Sequence, residues 1–476
     1  MYYEKPKNQV MVDRNQLEML CLDHLVPNDH IVRKIENAIN FDFIYDYTKD
    51  YYCQDNGRPC LDTVILFKIV LINFLFGINS IRKTIEEIKV NMAYRWFLGI
   101  SMTESVPNYS TFSQNYRRRY SDGKVFKKIF ERIIMELHNR NYIDTSILFV
   151  DGTHIKASAN RNKRTKKQVK IVTDIYHKQL EDEVNEFREL NGRDRYHSDD
   201  DERYTIDDET GEVKEVETKK TKEVTVSLTD PGSGMFVKGQ HERQFAYVDM
   251  VACDKNGWIV AFDVNPGNMH DSKAFLPFYH EQLKKYKSEI ICGDSAFLTA
   301  LIAKTLQENN TNLLAPYSSP KGKRIEFGKK YFDYLYEIDM FMCPNRKLLV
   351  PWNISKDGYI EYKIHKSDCG DCPFKEKCLK NYSFKTVRRH LYDDCLILAR
   401  EFRLSKEGKE KYKLRKSTIE RAFAEGKEKH GLRFTRFRGL KKNRDYRSLL
   451  YACQNIKKIA LLEFKRANNT NKLSYC

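Results

Sequence analysis

The chain has 476 residues, 41% of them hydrophobic and 12% aromatic, which is enough for about two to four domains with buried cores. Its 83 lysines and arginines against 66 aspartates and glutamates give a formal charge of +17, which favours nucleic acid as a partner over a merely basic surface. The longest apolar run, residues 64–76, is too short and interrupted for a bilayer span, and the N-terminus lacks a signal-peptide core. We therefore expect a cytoplasmic protein whose twelve cysteines are reduced thiols.

Residues 1–140 predict a helical DNA-binding domain. A turn at Pro107 precedes a short helix that carries Arg117, Arg118 and Arg119 near its end. This arrangement is similar to the second helix of a helix-turn-helix, which enters the major groove of DNA. A basic helix end that is only exposed to solvent is the alternative.

Two apolar runs each end at an aspartate. Residues 147–150 are followed by Asp151, and residues 290–292 lead through a glycine to Asp294. We interpret both runs as buried strands whose carboxyl ends lie at a common cleft. Carboxylates that close would repel one another unless a divalent cation compensated their charge, and hard oxygen ligands suit Mg²⁺. The alternative is that each aspartate only caps a turn.

Residues 157–225 interrupt this pattern with a charged, irregular insertion. Apolar residues at near-helical spacing, among them Val172, Leu180 and Val184, predict one amphipathic helix within it. The insertion opens with a basic run, residues 161–167. Either this run contacts DNA phosphates or the whole insertion is solvated and makes no contact with DNA.

The order of elements after the insertion predicts the fold. Two strand patterns, residues 245–253 and 258–264, are joined by Asn256-Gly257, which is a strong hairpin signal. A helix, the strand to Asp294, another helix and a strand at residues 312–315 follow. This is the order of an α/β ribonuclease H-like mixed sheet flanked by helices, here preceded by an N-terminal all-α domain.

Five short motifs, taken in this order, point to a family. The chain resembles the DDE transposases of bacterial insertion sequences, in the branch with an N-terminal helical domain and a cysteine-containing insertion before the last catalytic residue. The resemblance covers nearly the whole chain. Its motifs are Phe149-Val150-Asp151-Gly152-Thr153, Thr229-Asp230-Pro231, Gly267-Asn268-Met269-His270-Asp271, Cys292-Gly293-Asp294-Ser295-Ala296 and Ile419-Glu420-Arg421-Ala422-Phe423.

The resemblance implies three catalytic carboxylates, Asp151, Asp294 and Glu420, that hold two Mg²⁺ ions, with Mn²⁺ as a possible substitute. It also implies cleavage of double-stranded DNA at the terminal inverted repeats of the element and joining of 3′-hydroxyl ends to target DNA. Such a protein would act as a homodimer or larger assembly, associated with the bacterial nucleoid. Two rivals remain: a ribonuclease H-like nuclease without strand transfer, and a catalytically inactive DNA-binding protein.

The C-terminal signature departs from the family pattern in one place. Relatives space a tyrosine, an arginine, a glutamate and a lysine regularly, and Tyr412, Arg415, Glu420 and Lys427 correspond to them. Four residues rather than three separate Arg415 from Glu420, which puts the DNA-contacting roles of Tyr412 and Arg415 in question. On a helix Lys427 falls within about 20° of Glu420, so one face can hold metal and phosphate together.

Glu425 and Glu428 are the alternatives to Glu420 as third ligand. On the same helix Glu428 lies about 80° and Glu425 about 140° from Glu420, which favours Glu420.

The cysteine spacing predicts a structural zinc site. Cys369, Cys372 and Cys378 lie on one short loop, and Cys343 can supply a fourth thiolate, with His365 in reserve. Reduced thiols without metal are the alternative.

Farther on, arginines alternate with aromatic residues in a pattern that suits phosphate contacts, at Arg433, Arg436 and Arg438.

We thus expect four segments. They are a helical DNA-binding domain at 1–140, the first part of the catalytic domain at 141–318, a cysteine-containing insertion at 319–400, and the last part of the catalytic domain at 401–476. A final apolar helix, residues 446–464, is expected to pack on the catalytic domain.

Overall fold

This computed structural model describes residues 19–53, 60–78, 80–170, 175–196, 205–206, 213–214, 221–238, 242–317, 327–379 and 382–473. The chain divides into two compact units. The helical unit comprises Met1–Arg140, Glu425–Leu432 and Asp445–Cys476, and the sheet unit comprises Asn141–Ala424 and Arg433–Arg444. Within the described ranges, no helix is long and apolar enough to cross a membrane.

The α-helices are short except for the last. They are α1 (Leu22–Leu25), α2 (Ile31–Ala38), α3 (Phe43–Thr48), α4 (Thr63–Leu75), α5 (Ile81–Val90), α6 (Met92–Leu98), α7 (Tyr109–Arg118), α8 (Lys124–Asn139), α9 (Ile175–Leu190), α10 (Asp271–Phe278), α11 (Ala300–Glu308), α12 (Lys375–Leu379), α13 (Asp393–Leu404), α14 (Lys406–Lys413), α15 (Ile419–Lys429) and α16 (Leu440–Leu473).

The strands all belong to the sheet unit. They are β1 (Ile147–Lys156), β2 (Arg164–Lys170), β3 (Thr205–Ile206), β4 (Val213–Lys214), β5 (Thr221–Ser227), β6 (Gly234–Lys238), β7 (Glu242–Cys253), β8 (Ile259–Pro266), β9 (Ile290–Cys292), β10 (Asn312–Leu314), β11 (Asp333–Leu335), β12 (Met340–Met342), β13 (Leu348–Ile354), β14 (Tyr359–Ile364) and β15 (Thr386–His390).

Helix α4 is the centre of the helical unit because it is apolar around its whole circumference. All of its residues except Ile65 are buried. The side chain of Asp62 starts the helix by accepting hydrogen bonds from the first N–H groups, at 2.7 and 3.1 Å. Lys68 is buried within it, and its charge is satisfied by Glu36 at 2.7 Å and by the carbonyl of Phe97 at 3.0 Å.

The C-terminal helix corrects one prediction. Residues 446–464 were expected to pack on the catalytic domain, but this part of α16 belongs to the helical unit. Tyr446 meets Phe74 edge-to-face at 5.6 Å and Phe112 at 6.5 Å, and Cys453 contacts the carbonyl of Leu71. The apolar face of α16 therefore completes the core around α4, and the predicted segment 401–476 is divided between the two units.

The main sheet is mixed, which is consistent with the ribonuclease H-like arrangement expected from the sequence. Its central strands lie in the order β10, β9, β1, β7, β8. Strands β1, β9 and β10 run parallel to one another. Strand β7 runs antiparallel to both of its neighbours β1 and β8. The hairpin between β7 and β8 forms as predicted, with Gly257 at φ 76° and Asp254 accepting hydrogen bonds from two N–H groups of the turn.

The charged insertion is more regular than its composition indicates. Residues 157–225 were expected to be irregular, yet β2 and β5 within them form an antiparallel pair that extends the main sheet through β6. The β-branched residues of β5 favour this extended structure over the loop that the charges alone suggest. The predicted amphipathic helix is α9, whose Leu180 and Val184 are buried. Val172 lies outside the described residues.

A second, smaller sheet follows the main one in sequence. Strands β11 to β15 pair as an antiparallel meander, with each strand next to its successor. Its core contains Phe341 and Tyr362, and the Tyr362 hydroxyl bonds the Asp339 carboxylate at 2.5 Å. This sheet and the adjoining α12 carry the cysteines at 343–378.

Candidate active site

Asp151 and Asp294 follow the paired segments of two adjacent parallel strands. Asp151 lies within β1, which continues to Lys156 beyond the end that the sequence predicted, and Asp294 lies two residues after β9. The register of β1 and β9 pairs Phe149 with Cys292, and each aspartate lies two residues beyond its member of that pair. Asp294 keeps an extended backbone, with φ −82° and ψ −174°, so the two side chains occupy equivalent positions. Each carboxylate is close enough to act electrostatically on its neighbour. The structure therefore brings these two predicted residues together.

Both oxygens of Asp151 have donors within the chain. The N–H of Gly152 lies 3.0 Å from Oδ1, and Nη2 of Arg415 lies 2.5 Å from Oδ2. Burial raises the pKa of Asp151 to about 6; Arg415 opposes this rise, and the charge of Asp294 adds to it. The site thus concentrates negative charge where it is partly shielded from water, and the Arg415 guanidinium already balances part of that charge.

Arg415 is the cation that compensates Asp151. It is 8% exposed and sits in a 3₁₀ turn, Leu414–Lys416, directly after α14. Burial disfavours its charge, but Asp151 and a hydrogen bond with Tyr412 outweigh that effect and raise the pKa of Arg415. Tyr412 in turn lies under the guanidinium of Arg403, at 4.2 Å. Both residues were predicted to contact DNA, and the structure instead engages them within the chain.

Asp294 also serves as a turn cap, which was the alternative weighed for it. Its Oδ1 accepts a hydrogen bond of 2.8 Å from the N–H of Ala296 and starts the 3₁₀ turn Ser295–Phe297. This bond uses one oxygen and fixes the direction of the carboxylate. The capping role and a role in a charged site are therefore compatible.

Asp271 is a further carboxylate near Asp294, on the face of β1 opposite to Asp151, and the sequence prediction did not include it. It begins α10, and its Oδ1 comes so close to β1 that a Cβ added to Gly152 would lie 2.5 Å from it. Burial raises the pKa of Asp271, and Asp294 raises it further. Asp271 is the last residue of the motif Gly267–Asp271, which contains a carboxylate at the start of a helix. We call Asp151, Asp271 and Asp294 the carboxylate cluster.

Glu420 is not gathered into this cluster. It lies in the first turn of α15 and is exposed. Within the described part of the chain, no group of three or more His, Cys, Asp or Glu side chains is arranged to hold a metal ion. The structure brings Asp151 and Asp294 together, and the role of Glu420 as third member of the predicted triad stays a prediction.

The four predicted zinc ligands, Cys343, Cys369, Cys372 and Cys378, lie near one another in the turns and the short helix α12 that adjoin the small sheet, and we call them the cysteine group. Burial raises the pKa of the Cys378 thiol, Lys385 opposes this, and the other three cysteines raise it further. Cys343 accepts a hydrogen bond of 3.3 Å from the N–H of Lys347. The four thiols lie near one another. Their arrangement in the described part of the chain is not one that could hold a metal ion.

Comparison with known families decides the identity of the chain. The family model "Transposase domain (DUF772)" matches residues 20–118, and the model "Transposase DDE domain" matches residues 342–460. The chain belongs to the DDE transposases. The resemblance inferred from the motifs is thereby confirmed, and the protein is a DNA transposase.

Comparisons with individual proteins add less. No curated protein matches the transposase chain. Among solved structures it is similar to the Mos1 mariner paired end complex with Mn, at 10% identity, over 58% of this chain and 67% of that chain, with a TM-score of 0.16. A likeness at that level does not establish a shared fold.

The arginines predicted for the helical unit of the transposase differ in their surroundings. Arg117 and Arg118 are exposed at the end of α7. Arg119 is half-buried, with its guanidinium 2.5 Å from Oδ1 of Asn115 and 4.5 Å from the ring centre of Tyr52. Residues 99–108 connect α6 to α7, which is longer than the three- or four-residue turn of a helix-turn-helix. The helix-turn-helix interpretation is weakened by this connection.

The remaining predicted DNA contacts lie farther along the transposase chain. Arg433 is exposed, and Arg438 is exposed with its Nε 3.1 Å from the carbonyl of Ser158. Arg436 is half-buried, with its guanidinium 5.9 Å from the ring centre of Phe437. Lys427 is half-buried in α15, within the helical unit.

Proposed function

We propose that this transposase cuts DNA at the terminal inverted repeats of its own insertion sequence and joins the freed 3′-hydroxyl to target DNA at Asp151, Asp294 and Glu420. The observation that carries this assignment is the parallel register that places Asp151 beside Asp294, with the pKa of Asp151 raised to about 6. A pair of partly buried like charges favours a divalent cation, and carboxylate oxygens are the ligands that Mg²⁺ and Mn²⁺ prefer.

The residues of the site fit that cation in chemistry and in charge. Bound there, two Mg²⁺ or Mn²⁺ ions would activate the attacking oxygen and stabilise the leaving one. The N–H of Gly152 would fix the orientation of the Asp151 carboxylate by its hydrogen bond to Oδ1. The N–H of Ala296 would do the same for the Asp294 carboxylate. Arg415 would keep Asp151 ionised, because its guanidinium lowers the pKa of that carboxyl.

Glu420 is proposed as the third carboxylate in preference to Glu425. Glu425 is already committed within the helical unit, where its Oε1 lies 3.3 Å from Nζ of Lys457 and 3.9 Å from Nε2 of His430. His430 and Lys457 lower the pKa of Glu425 to about 2, against the effect of burial. Its ion pair gives Glu425 a structural role, whereas exposed Glu420 can move to a metal ion.

DNA contacts are proposed for the basic residues that face solvent. Arg117, Arg118, Arg433 and Arg438 are exposed, and the net charge of +17 supplies the long-range attraction. Double-stranded DNA at the element ends and the target would be the partner. We further propose a homodimer or larger assembly, since two ends must be handled in one reaction.

We propose that the cysteine group binds one structural Zn²⁺. Burial and the neighbouring thiols raise the pKa of Cys369 and of Cys378, and a cation bound by the group would convert these thiols to thiolates. The N–H of Lys347 already bonds the Cys343 sulfur, which is the kind of second contact that supports a thiolate ligand.

The experiment that tests the function is incubation of the full chain with its own element ends and Mg²⁺, with products resolved on a denaturing gel. Nicked and joined products support the proposal. Nicks without joining would favour the nuclease, and binding without any cleavage would favour the inactive DNA-binding protein.

A further inference from the structure

A cavity lies where β1 and β7 separate. The two strands are paired as far as Lys156 and Ala246, and one further hydrogen bond of 2.9 Å joins the N–H of Ala157 to the carbonyl of Phe245. Residues from 156–161 and from 242–245 line a cavity of about 310 Å³. All of these residues belong to the sheet unit. A cavity of this size can hold a small group, such as one unit of a polymer.

The lining of this cavity combines buried apolar residues with exposed cations. Ala157 and Phe245 are 2% and 3% exposed and belong to one hydrophobic cluster, against which Ala159 packs. The exposed cations of the lining are Lys156, Arg161 and Arg243. We call the cavity with these six residues the basic cavity. It offers an apolar floor and a positively charged rim.

The charges of the rim are not balanced within the described part of the chain. No described carboxylate forms an ion pair with Lys156, Arg161 or Arg243. The one carboxylate of the lining is Glu242, and its Oε1 accepts a hydrogen bond of 3.3 Å from the amide of Gln244. A concave surface with an excess of one sign of charge attracts ions of the opposite sign, so the basic cavity favours an anion.

Two arginines already proposed to contact DNA are attached to the same segment. The N–H of Lys156 donates to the carbonyl of Arg433 at 3.2 Å, and Nε of Arg438 donates to the carbonyl of Ser158 at 3.1 Å. Arg433 and Arg438 are both exposed. The basic cavity therefore adjoins other cations, and successive phosphates of one DNA strand can contact both places.

We propose that the basic cavity binds one unit of the DNA backbone, with the phosphodiester group between Lys156, Arg161 and Arg243 and the deoxyribose on the apolar floor. The inference rests on the proposed function and adds to it a phosphate-binding site at the far end of β1. Guanidinium groups bind phosphate oxygens by paired hydrogen bonds. Contacts to the backbone carry no base information, so the site acts on element ends and on other DNA alike.

The test is binding of the full chain to an element-end duplex and to a random duplex over a range of salt concentrations, followed by fluorescence anisotropy. Arg243→Gln is expected to weaken binding to both duplexes by the same factor, roughly fivefold at physiological salt, and to lower the salt slope by about 1. Arg388→Gln is the matched control, because exposed Arg388 of the same unit is already paired with Glu361; its slope should equal that of the wild type. An unchanged slope in Arg243→Gln would overturn the inference.

Neutral phosphates locate the contact. Uncharged methylphosphonate groups replace the phosphates of the element-end duplex one at a time, and the wild type is expected to lose affinity where the basic cavity binds. At that position the same replacement should have little further effect in Arg243→Gln, because the interaction is already lost. Arg161→Gln should respond at the same phosphate or the next one. If no position shows this dependence on Arg243, the basic cavity does not bind the backbone.

A free phosphate has the same charge as the proposed ligand, and thermal unfolding separates the two. If inorganic phosphate raises the Tm of the wild type but not of Arg243→Gln, while the salt slope for DNA is the same in both, the cavity binds a free anion and the inference is wrong. Failure of the wild type to bind either duplex would overturn the proposed function as well. Cleavage and joining by the wild type, without a phosphate that depends on Arg243, would overturn this inference alone.

Discussion

The carboxylate cluster and the cysteine group belong to the same sheet unit, but they are assembled in different ways. Asp151 and Asp294 are far apart in sequence and meet because β1 and β9 pair in parallel register. Cys369, Cys372 and Cys378 are close together in sequence, and Cys343 lies in the separate turn between β12 and β13. A site made by strand register depends on the whole fold, whereas a site made by one loop depends mainly on local spacing.

The two clusters also differ in what balances their charge. The carboxylate cluster contains its own cation, Arg415, and a buried oxygen without a donor on Asp271. The cysteine group is balanced by Lys385, which lowers the pKa of the Cys378 thiol, while burial and the neighbouring thiols raise it. An acidic site of this kind can admit and release a metal ion, whereas thiols become good ligands only when the metal displaces their protons.

The largest effect is expected from the carboxylate cluster, in Asp294→Asn. The substitution keeps the side-chain size and removes the charge, so strand cleavage in Mg²⁺ should fall by about 10³-fold while binding to element ends is retained. Gel assays of cleavage and electrophoretic mobility shifts measure the two activities separately. Asp263→Asn serves as the control, because Asp263 lies in β8 of the same sheet and is paired with Arg444 at 3.0 Å; cleavage near that of wild type is expected.

The next largest effect is expected in the cysteine group, in Cys372→Ser. If zinc ties this loop to the small sheet, purified protein contains about one zinc per chain, and the variant loses it together with about 3 kcal/mol or more of stability. Metal analysis and chemical denaturation measure both. Cys395→Ser, a half-buried cysteine of α13, should keep the zinc. Metal-free wild-type protein of unchanged stability would contradict the zinc proposal.

The contrast between the clusters explains how much the sequence could predict. The apolar runs before Asp151 and Asp294, the hairpin at Asn256-Gly257 and the helix α9 follow from local patterns, and the structure contains them all. Asp271 could not be found in this way, because only the fold brings its carboxylate near the charge of Asp294. Spacing along a helix also cannot tell whether Glu420 reaches the cluster.

Other failures of sequence interpretation have physical causes as well. The apolar face of α16 indicates that the helix is buried but not which partner buries it, and that partner is α4 of the helical unit. The many charged residues at 157–225 favour a loop prediction although β5 is rich in β-branched residues. Its pairing with β2 joins residues far apart in sequence, so local patterns do not predict it. Family spacing also says nothing about the Asp151 carboxylate that Arg415 meets in this chain, and its predicted contact with DNA stays a prediction.

A smaller effect is expected in Glu425→Gln, which sharpens the choice of the third carboxylate. His430 and Lys457 lower the pKa of Glu425 to about 2 against the effect of burial, so its ionised form stabilises the fold above its ordinary pKa of 4.5, and that stability is lost as the pH falls towards 2. Since the side chain is 34% exposed, we expect a loss of about 1–2 kcal/mol at pH 7 that disappears near pH 2. Urea denaturation at both pH values measures it.

Glu420→Gln is the matched variant for this comparison. It should leave stability at pH 7 unchanged, because Glu420 is exposed, and it should abolish strand cleavage. If Glu425→Gln abolishes cleavage and Glu420→Gln does not, the third carboxylate was chosen wrongly.

The smallest effect is expected in Arg415→Gln, and it tests whether the carboxylate cluster truly balances a metal ion against an internal cation. At pH 8.5 Asp151 is ionised in the wild-type protein, since its pKa of about 6 lies well below that value. Removing Arg415 raises the pKa of Asp151, so the pH of the Mn²⁺ titration, followed by electron paramagnetic resonance, is increased until the Mn²⁺ affinity of Arg415→Gln no longer changes with pH. The guanidinium, 2.5 Å from Oδ2, then competes with a divalent ion for the same oxygen. Removing it should strengthen Mn²⁺ binding by roughly threefold to tenfold, which corresponds to about 0.7–1.4 kcal/mol and is small because water screens part of the charge. Arg400→Gln, whose guanidinium lies over the ring of Tyr317, removes an arginine elsewhere and should leave the affinity unchanged. Weaker Mn²⁺ binding in Arg415→Gln at that pH, where protons no longer compete, would instead show that Arg415 orients Asp151 for the metal.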